Sequence, residues 1–160
     1  HDMVYANSSA WHWWLAVSSG DYKDGLIYAE LDSTYTNGSY SDSKLMWSLG
    51  NYSRVIRPGA RRINVSARHN GKVIPEGVTD PKGVMVSAYK NTDESMVVVI
   101  INYGSEEQEI NLETKDQPGI IWQPYITSDA RGDNLKKMEL VQNNLINIPA
   151  KSTITLKAEI

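Results

Sequence analysis

Ser8-Ser9-Ala10-Trp11-His12-Trp13-Trp14-Leu15-Ala16-Val17 is the stretch that decides how the rest of the chain is read. Three of the five tryptophans fall in four positions. A strand presents alternate side chains on opposite faces, so Trp11 and Trp13 share one face, and His12 and Trp14 the other. With Leu15, Ala16 and Val17 following, both faces are apolar. That pattern predicts a strand buried on both sides in a parallel sheet. Core packing competes with a binding role for Trp14. It competes less well for the pair Trp11 and Trp13, whose rigid rings are suited to a half-wet surface.

Working outward, residues 18–42 are polar, glycine-containing and rich in tyrosine, with Tyr22, Tyr28, Tyr35 and Tyr40. Leu26–Leu31 has the makings of a short strand, and Asn37-Gly38 is a tight-turn dipeptide. A connection this long is usually functional. Residues 43–57 are expected to form a helix. Ser41 or Asp42 is the candidate N-cap. Leu45, Leu49, Tyr52 and Ile56 fall at helical spacing, widened by Met46 and Val55, and Pro58-Gly59 ends the pattern. Gly50 inside that helix implies a close packing contact.

Strand, loop and helix make a β/α unit, and such a unit buries its strand only within a multi-stranded parallel sheet. No second unit follows, and the chain opens without a cap or start pattern. It is therefore expected to be part of something longer. From residue 60 the texture changes to about eight short strands punctuated by Gly, Asn, Asp and Pro, the mark of an antiparallel sandwich. Met96–Tyr103, continuous and apolar, is its predicted central strand. The expected fold class is mostly β: an antiparallel β-sandwich over 60–160, preceded by a terminal β/α unit over 1–59.

Composition narrows the function. Hydrophobic residues are 41%, charged residues 22% and the net charge −3, which gives no bias towards nucleic acid or an anionic membrane. No apolar run reaches the roughly 18 residues of a spanning helix. Cysteine is absent, so disulfides and thiolate metal sites are excluded. Phenylalanine is absent too, and every aromatic ring carries a polar edge. His1, His12 and His69 lack ligand spacing, so neither a metal nor a cofactor is expected. His12 is expected to be packed and hydrogen-bonded. Glu30 and Asp32 share a strand face near the Trp run and are the one candidate carboxylate pair, whereas Glu106, Glu107, Glu109 and Glu113 read as a solvated edge of the sandwich. Arg131-Gly132-Asp133 sits in an ordinary polar turn. Arg54, Arg57, Arg61 and Arg62 suit the negative end of the helix dipole. Sequons occur at Asn7, Asn37, Asn51 and Asn64. Ser18 and Ser19 have no His or Asp partner at a readable spacing.

The residues 6–17, then Asp21-Tyr22-Lys23-Asp24-Gly25-Leu26-Ile27-Tyr28, resemble the end of the barrel in glycoside hydrolase family 30. Ser43-Lys44-Leu45, Leu49–Arg54 and Ile56–Gly59 resemble that family's last barrel helix and its exit. Ile146–Leu156 is similar to the closing strands of its side sandwich. The resemblance implies a (β/α)8 barrel with an attached sandwich that hydrolyses a β-glycan with retention. It implies that the two catalytic glutamates, on the fourth and seventh strands, lie upstream, so no catalytic residue falls in 1–160. Trp13 matches the family's eighth-strand tryptophan, a wall of the sugar subsite beside the cleaved bond. Trp11 shares its parity, and Tyr22, Tyr28 and Tyr35 are candidate outer platforms, while Trp14 is expected to pack on the helix layer.

The segment is more similar to the endo-β-1,6-galactanase type than to the glucuronoxylanases, which carry arginines where this chain has Ser18-Ser19. Family members of this type are generally secreted or held at the cell surface. The implied partners are a β-linked polysaccharide or oligosaccharide, and either the remaining barrel or a second copy of the chain. Two alternatives stay open: a free-standing carbohydrate-binding sandwich, and a purely structural scaffold.

Overall fold

The computed structural model describes residues 1–19, 24–69, 72–73, 83–114 and 119–158. The expected turn at 69–72 falls partly outside these, at Asn70 and Gly71. The first three strands are β1 (Val17–Ser19), β2 (Ile27–Leu31) and β3 (Gly38–Asp42). β1 runs parallel to β2, with Val17 beside Ile27, and β2 is antiparallel to β3. Two further backbone bonds extend the parallel pairing back as far as Leu15, from Leu26 N to Leu15 O (3.0 Å) and Ile27 N to Ala16 O (3.0 Å).

The strand therefore begins later than its sequence suggested. Residues 11–16 are irregular, the Trp14–Leu15 peptide bond is cis, and Trp14 is 77% exposed rather than packed on the helix. A parallel strand is buried by neighbours on both sides and layers on both faces. Among the described residues β1 has β2 alone, and the Trp11–Trp14 backbone has no ladder beside it.

The long connection folds into the β2–β3 hairpin. Its turn, residues 32–37, is organised by Asp32, whose Oδ1 accepts from Thr34 N (3.0 Å), Thr34 Oγ1 (2.7 Å) and Thr36 N (3.3 Å). This differs from the two-residue Asn37-Gly38 turn read from sequence. Gly38 instead starts β3, where a Cβ would lie 2.1 Å from Glu30 O. The glycine allows backbone approach rather than a turn conformation.

Helix α1 spans Lys44–Ser53. Its N-cap is Ser43, one position past the expected pair; its side chain accepts from Met46 N (3.1 Å) while its hydroxyl donates to Leu26 O (2.9 Å). The helix ends four residues earlier than its periodicity suggested. The cause is Asn91, whose amide donates to Val55 O (3.0 Å) and whose Oδ1 accepts from Arg57 N (2.9 Å). That buried side chain takes up Val55 O and Arg57 N, while Ile56 N still donates to Tyr52 O (2.9 Å).

Ten antiparallel strands follow among the described residues. Six form one sheet in the order β11 (Lys136–Lys137), β10 (Gln123–Thr127), β13 (Ser152–Ala158), β8 (Met96–Asn102), β7 (Val84–Lys90), β4 (Arg61–Ile63). Four form the other: β12 (Leu145–Ile148), β9 (Gln108–Glu113), β5 (Ser66–His69), β6 (Lys72–Val73). The single strand expected over 62–68 is two, one in each sheet, because the chain crosses between layers at Asn64-Val65. β8 is central and explains its own composition. Val98 and Ile100 face the inter-sheet core with Trp122, Ile110, Ile148 and Leu156, whereas Val97 and Val99 face the opposite side with Val55 and Tyr89. The six-stranded sheet is thus covered on both faces, by the second sheet and by the α1 region.

α1 meets the sheet through Trp47 O and Asn51, and the turn that follows it through Val55. Asn51 is fully buried; its amide donates to Thr127 Oγ1 (2.6 Å) and Trp47 O (3.2 Å), and its carbonyl oxygens accept from Thr155 Oγ1 (2.9 and 2.7 Å). Its sequon is therefore not presented by the folded chain. The contact foreseen at Gly50 is with Leu135: a Cβ there would meet Leu135 Cδ2 at 3.4 Å, an ordinary van der Waals distance. Gly50→Ala is accordingly expected to stabilise the fold by about 0.5–1 kcal/mol through backbone entropy, read as a raised urea midpoint.

Candidate functional site

The Trp11–Trp14 segment is brought back against two parts of the chain. Trp13 Nε1 donates to Asp24 O (2.6 Å), just before β2, and Trp11 Nε1 donates to Asp2 Oδ2 (2.8 Å). The two indoles stack with centroids 5.6 Å apart and planes 27° from parallel. They remain 42% and 38% exposed for Trp11 and Trp13 respectively, so the pair is anchored by its polar edges and open on the outside. Their common side follows the parity read from sequence although the backbone is not a strand there. His12 is exposed, contrary to the packed histidine expected.

The described tyrosines are spread along the hairpin, with the Tyr28 ring beside Gly25, the residue after the Trp13 anchor Asp24. Tyr28 is half-buried on β2, opposite Ser41. Tyr35 stands at the hairpin tip with φ 58° and is 80% exposed. Four residues of strand span roughly 13 Å between Ile27 and Leu31, so Tyr35 lies at the far end of the hairpin from Trp13. Tyr22 falls outside the described residues. Tyr40, on β3 opposite Ala29, is 82% exposed and was not singled out from sequence.

Below Trp11 runs a groove of about 400 Å³, lined by Met3, Trp11, Leu45, Leu49, Tyr52 and Ile56 among others. These include four residues of the helical stripe recognised in the sequence, of which Tyr52 and Ile56 also pack against the sheet cluster of Tyr89, Val97 and Val99. Tyr52 lies edge-on to Tyr89, centroids 6.5 Å apart, and burial pushes its phenol up to about 12.

Asp32, Asp42, Asp93 and Asp133 serve local structure. Asp32 is occupied by its own turn, principally by the Thr34 hydroxyl, which holds its carboxyl below the ordinary 3.8. Asp93 is held low by the Ser95 hydroxyl first, and Asp42 by the Trp47 indole. Asp133 of the Arg-Gly-Asp sequence accepts from Ser128 Oγ (2.8 Å) within its own loop. Among the described residues no group of three or more His, Cys, Asp or Glu is placed to hold a metal ion. A carboxyl whose pKa falls on folding contributes stability above its unfolded value and loses it as pH falls through the folded value. The melting temperature is therefore expected to decline as pH drops below 3.8. Asp32→Asn and Asp93→Asn should each flatten that decline in a pH series.

Comparison with known proteins gives this architecture its context. Residues 59–156 match the model described as the glycosyl hydrolase family 30 beta sandwich domain, and residues 1–28 match that of O-glycosyl hydrolase family 30. The two matches define a class, the sandwich of a glycosyl hydrolase together with the stretch leading into it. The chain belongs to glycoside hydrolase family 30 and corresponds to its C-terminal portion.

Its structure is similar to a conserved exported protein from Bacteroides fragilis, with 31% identity over 98% of this chain and 31% of that one, TM-score 0.75. It is also similar to the catalytic domain of the family 30 xylanase C from Talaromyces cellulolyticus, with 25% identity over 99% of this chain and 33% of that one, TM-score 0.75. A family 30 endoxylanase from Clostridium papyrosolvens C71 matches at 25% identity over 74% of this chain and 28% of that one, TM-score 0.55. The chain thus spans about a third of the length of these solved chains. No helix among the described residues is long and apolar enough to cross a membrane.

Proposed function

We propose that the chain is the C-terminal part of a secreted, retaining β-glycan endo-hydrolase of endo-β-1,6-galactanase type, in which it supplies a sugar-subsite wall and the side sandwich. The observation that carries this is the stacked, edge-anchored and outwardly open pair Trp11 and Trp13. A flat indole suits the apolar C–H face of a pyranose, and its anchored N–H keeps the ring in place. Retention needs two carboxyl groups about 5 Å apart across the glycosidic bond. In this reading both are glutamates of the parent outside these residues, and the chain's own part is to bind and orient. Residues 1–59 then belong to the barrel and 60–160 to the sandwich. The groove under Trp11 takes either the rest of the barrel or a second copy of the chain.

The substrate is assigned on Ser18-Ser19, where an acidic xylan substituent would call for arginine; Ser18 is buried. Two of the similar solved chains are named xylanases, so xylan is the competing substrate. Secretion is supported by the neighbour named as an exported protein. A sandwich that binds sugar by itself would present open aromatic faces on its own strands. Trp122 is instead in its core, and the half-exposed Tyr103 ring has Lys151 Nζ over one face, 4.8 Å from its centroid.

The test is an assay of the full-length parent on β-1,6-galactan and on glucuronoxylan, with product anomers followed by NMR. Preferential cleavage of galactan with initial release of the β-anomer is expected. Cleavage of glucuronoxylan alone overturns the specificity, and release of the α-anomer overturns retention.

A further inference from the structure

We propose that Asp2 is a positioning residue for the indole wall, through which the sandwich itself holds Trp11 and Trp13 in register. This rests on the reading of Trp13 as a sugar-facing wall. The Trp13 N–H bond to Asp24 O fixes one edge of the ring and leaves it free to tilt about that edge. Trp11, stacked at 27°, limits the tilt on one side. Trp11 therefore has to be fixed in turn, and its indole N–H is bound by the Asp2 carboxylate at 2.8 Å. A bond to an ionised acceptor is stronger and more directional than one to a neutral group.

Asp2 is itself held. Tyr5 N donates to His1 O (2.7 Å), Ala6 N to the same oxygen (3.1 Å) and Ser8 N to Asp2 O (2.9 Å), which closes residues 1–8 into a compact turn. The adjacent Met3 packs against the cluster of Val55, Tyr89, Val97 and Val99 on the outer face of the six-stranded sheet. A continuous path thus runs from β8 through Met3 and Asp2 to Trp11, Trp13 and the start of β2. A wall held this way is ordered before the sugar arrives, so binding loses less side-chain freedom. The path gives the sandwich a part in substrate binding that needs no sugar contact of its own.

The test uses this chain with Asp2→Ala, Asp2→Asn and Trp13→Ala. Two readouts are taken: the far-ultraviolet circular-dichroism couplet of interacting indoles, and tryptophan-fluorescence titration with β-1,6-galactotetraose and with xylotetraose. Asp2→Ala is expected to lose the couplet and to weaken binding of the preferred tetrasaccharide roughly five- to tenfold, with its urea midpoint near that of the wild type. Asp2→Asn keeps an acceptor oxygen and should retain the couplet and most of the affinity. Trp13→Ala should lose both. Wild-type couplet and affinity in Asp2→Ala overturn the positioning role. A wild-type chain that binds neither tetrasaccharide, or a Trp13→Ala chain that binds as wild type, overturns the wall itself. The couplet then still reads the Asp2 bond, and its persistence in Asp2→Ala overturns that as well.

Discussion

Trp122→Ala is expected to cost about 3–5 kcal/mol of folding free energy, the range for emptying a packed core of a large ring. Trp122 is 1% exposed and lies in the cluster with Ile100, Ile110, Ile148 and Leu156, where the two sheets meet. Domains of this kind commonly hold only about 5–15 kcal/mol in total, so the variant should be partly unfolded at room temperature or have a sharply reduced urea midpoint. Trp122→Phe separates two contributions. The Trp122 indole N–H is buried without a hydrogen-bond partner among the described residues, and an unsatisfied buried donor costs about 1–3 kcal/mol. Phenylalanine removes that donor and keeps most of the ring, so its loss should be less than about half that of alanine. Equal losses in the two variants would show that the indole N–H contributes nothing unfavourable.

Asn51→Ala is expected to cost about 2 kcal/mol, because it deletes buried side-chain bonds, although Thr127 Oγ1 keeps Leu135 N (3.0 Å) and Thr155 Oγ1 keeps the Asn51 backbone O (2.7 Å). Thr127 Oγ1 loses a donor and Thr155 Oγ1 loses an acceptor, both beneath the helix. The effect should be local. The inter-sheet core does not include Asn51, so hydrogen exchange should accelerate in α1 while β8 and β13 stay protected. Uniform loss of protection would contradict a helix docked on an independently packed sandwich. Asn51→Asp tests the same network, since a carboxylate cannot donate to Thr127 Oγ1.

These two residues mark what was legible in the sequence and what was not. The sandwich was legible because alternation and continuous apolarity are written directly into strands such as Val84–Lys90 and Met96–Asn102. The helix and its apolar stripe were legible from their helical spacing. The polar part of the helix docking was not: an asparagine in mid-helix reads as surface or as a sequon until its partners 76 and 104 positions away are known.

The tryptophan run was legible as a pair of rings on one side. It was misread as a strand because three large apolar residues in a row satisfy strand patterning whether or not a ladder partner exists. The anchoring of the pair was out of reach too, since nothing in the sequence distinguishes Asp2 from any other acidic residue nine positions away. The expectation that Tyr28 and Tyr35 would extend the wall came from proximity in the chain. The hairpin undoes that proximity for Tyr35 by carrying it to the far tip.

The proposed function divides the labour: indoles and sandwich in this chain, catalytic carboxylates elsewhere in the parent. Reducing-end release from β-1,6-galactan by the purified chain, alone and after co-expression with the remaining barrel of the parent, tests it most directly. The account predicts no release by the chain alone and release once the two parts are combined. Release by the chain alone, abolished by substituting one of its own carboxylates, would contradict it.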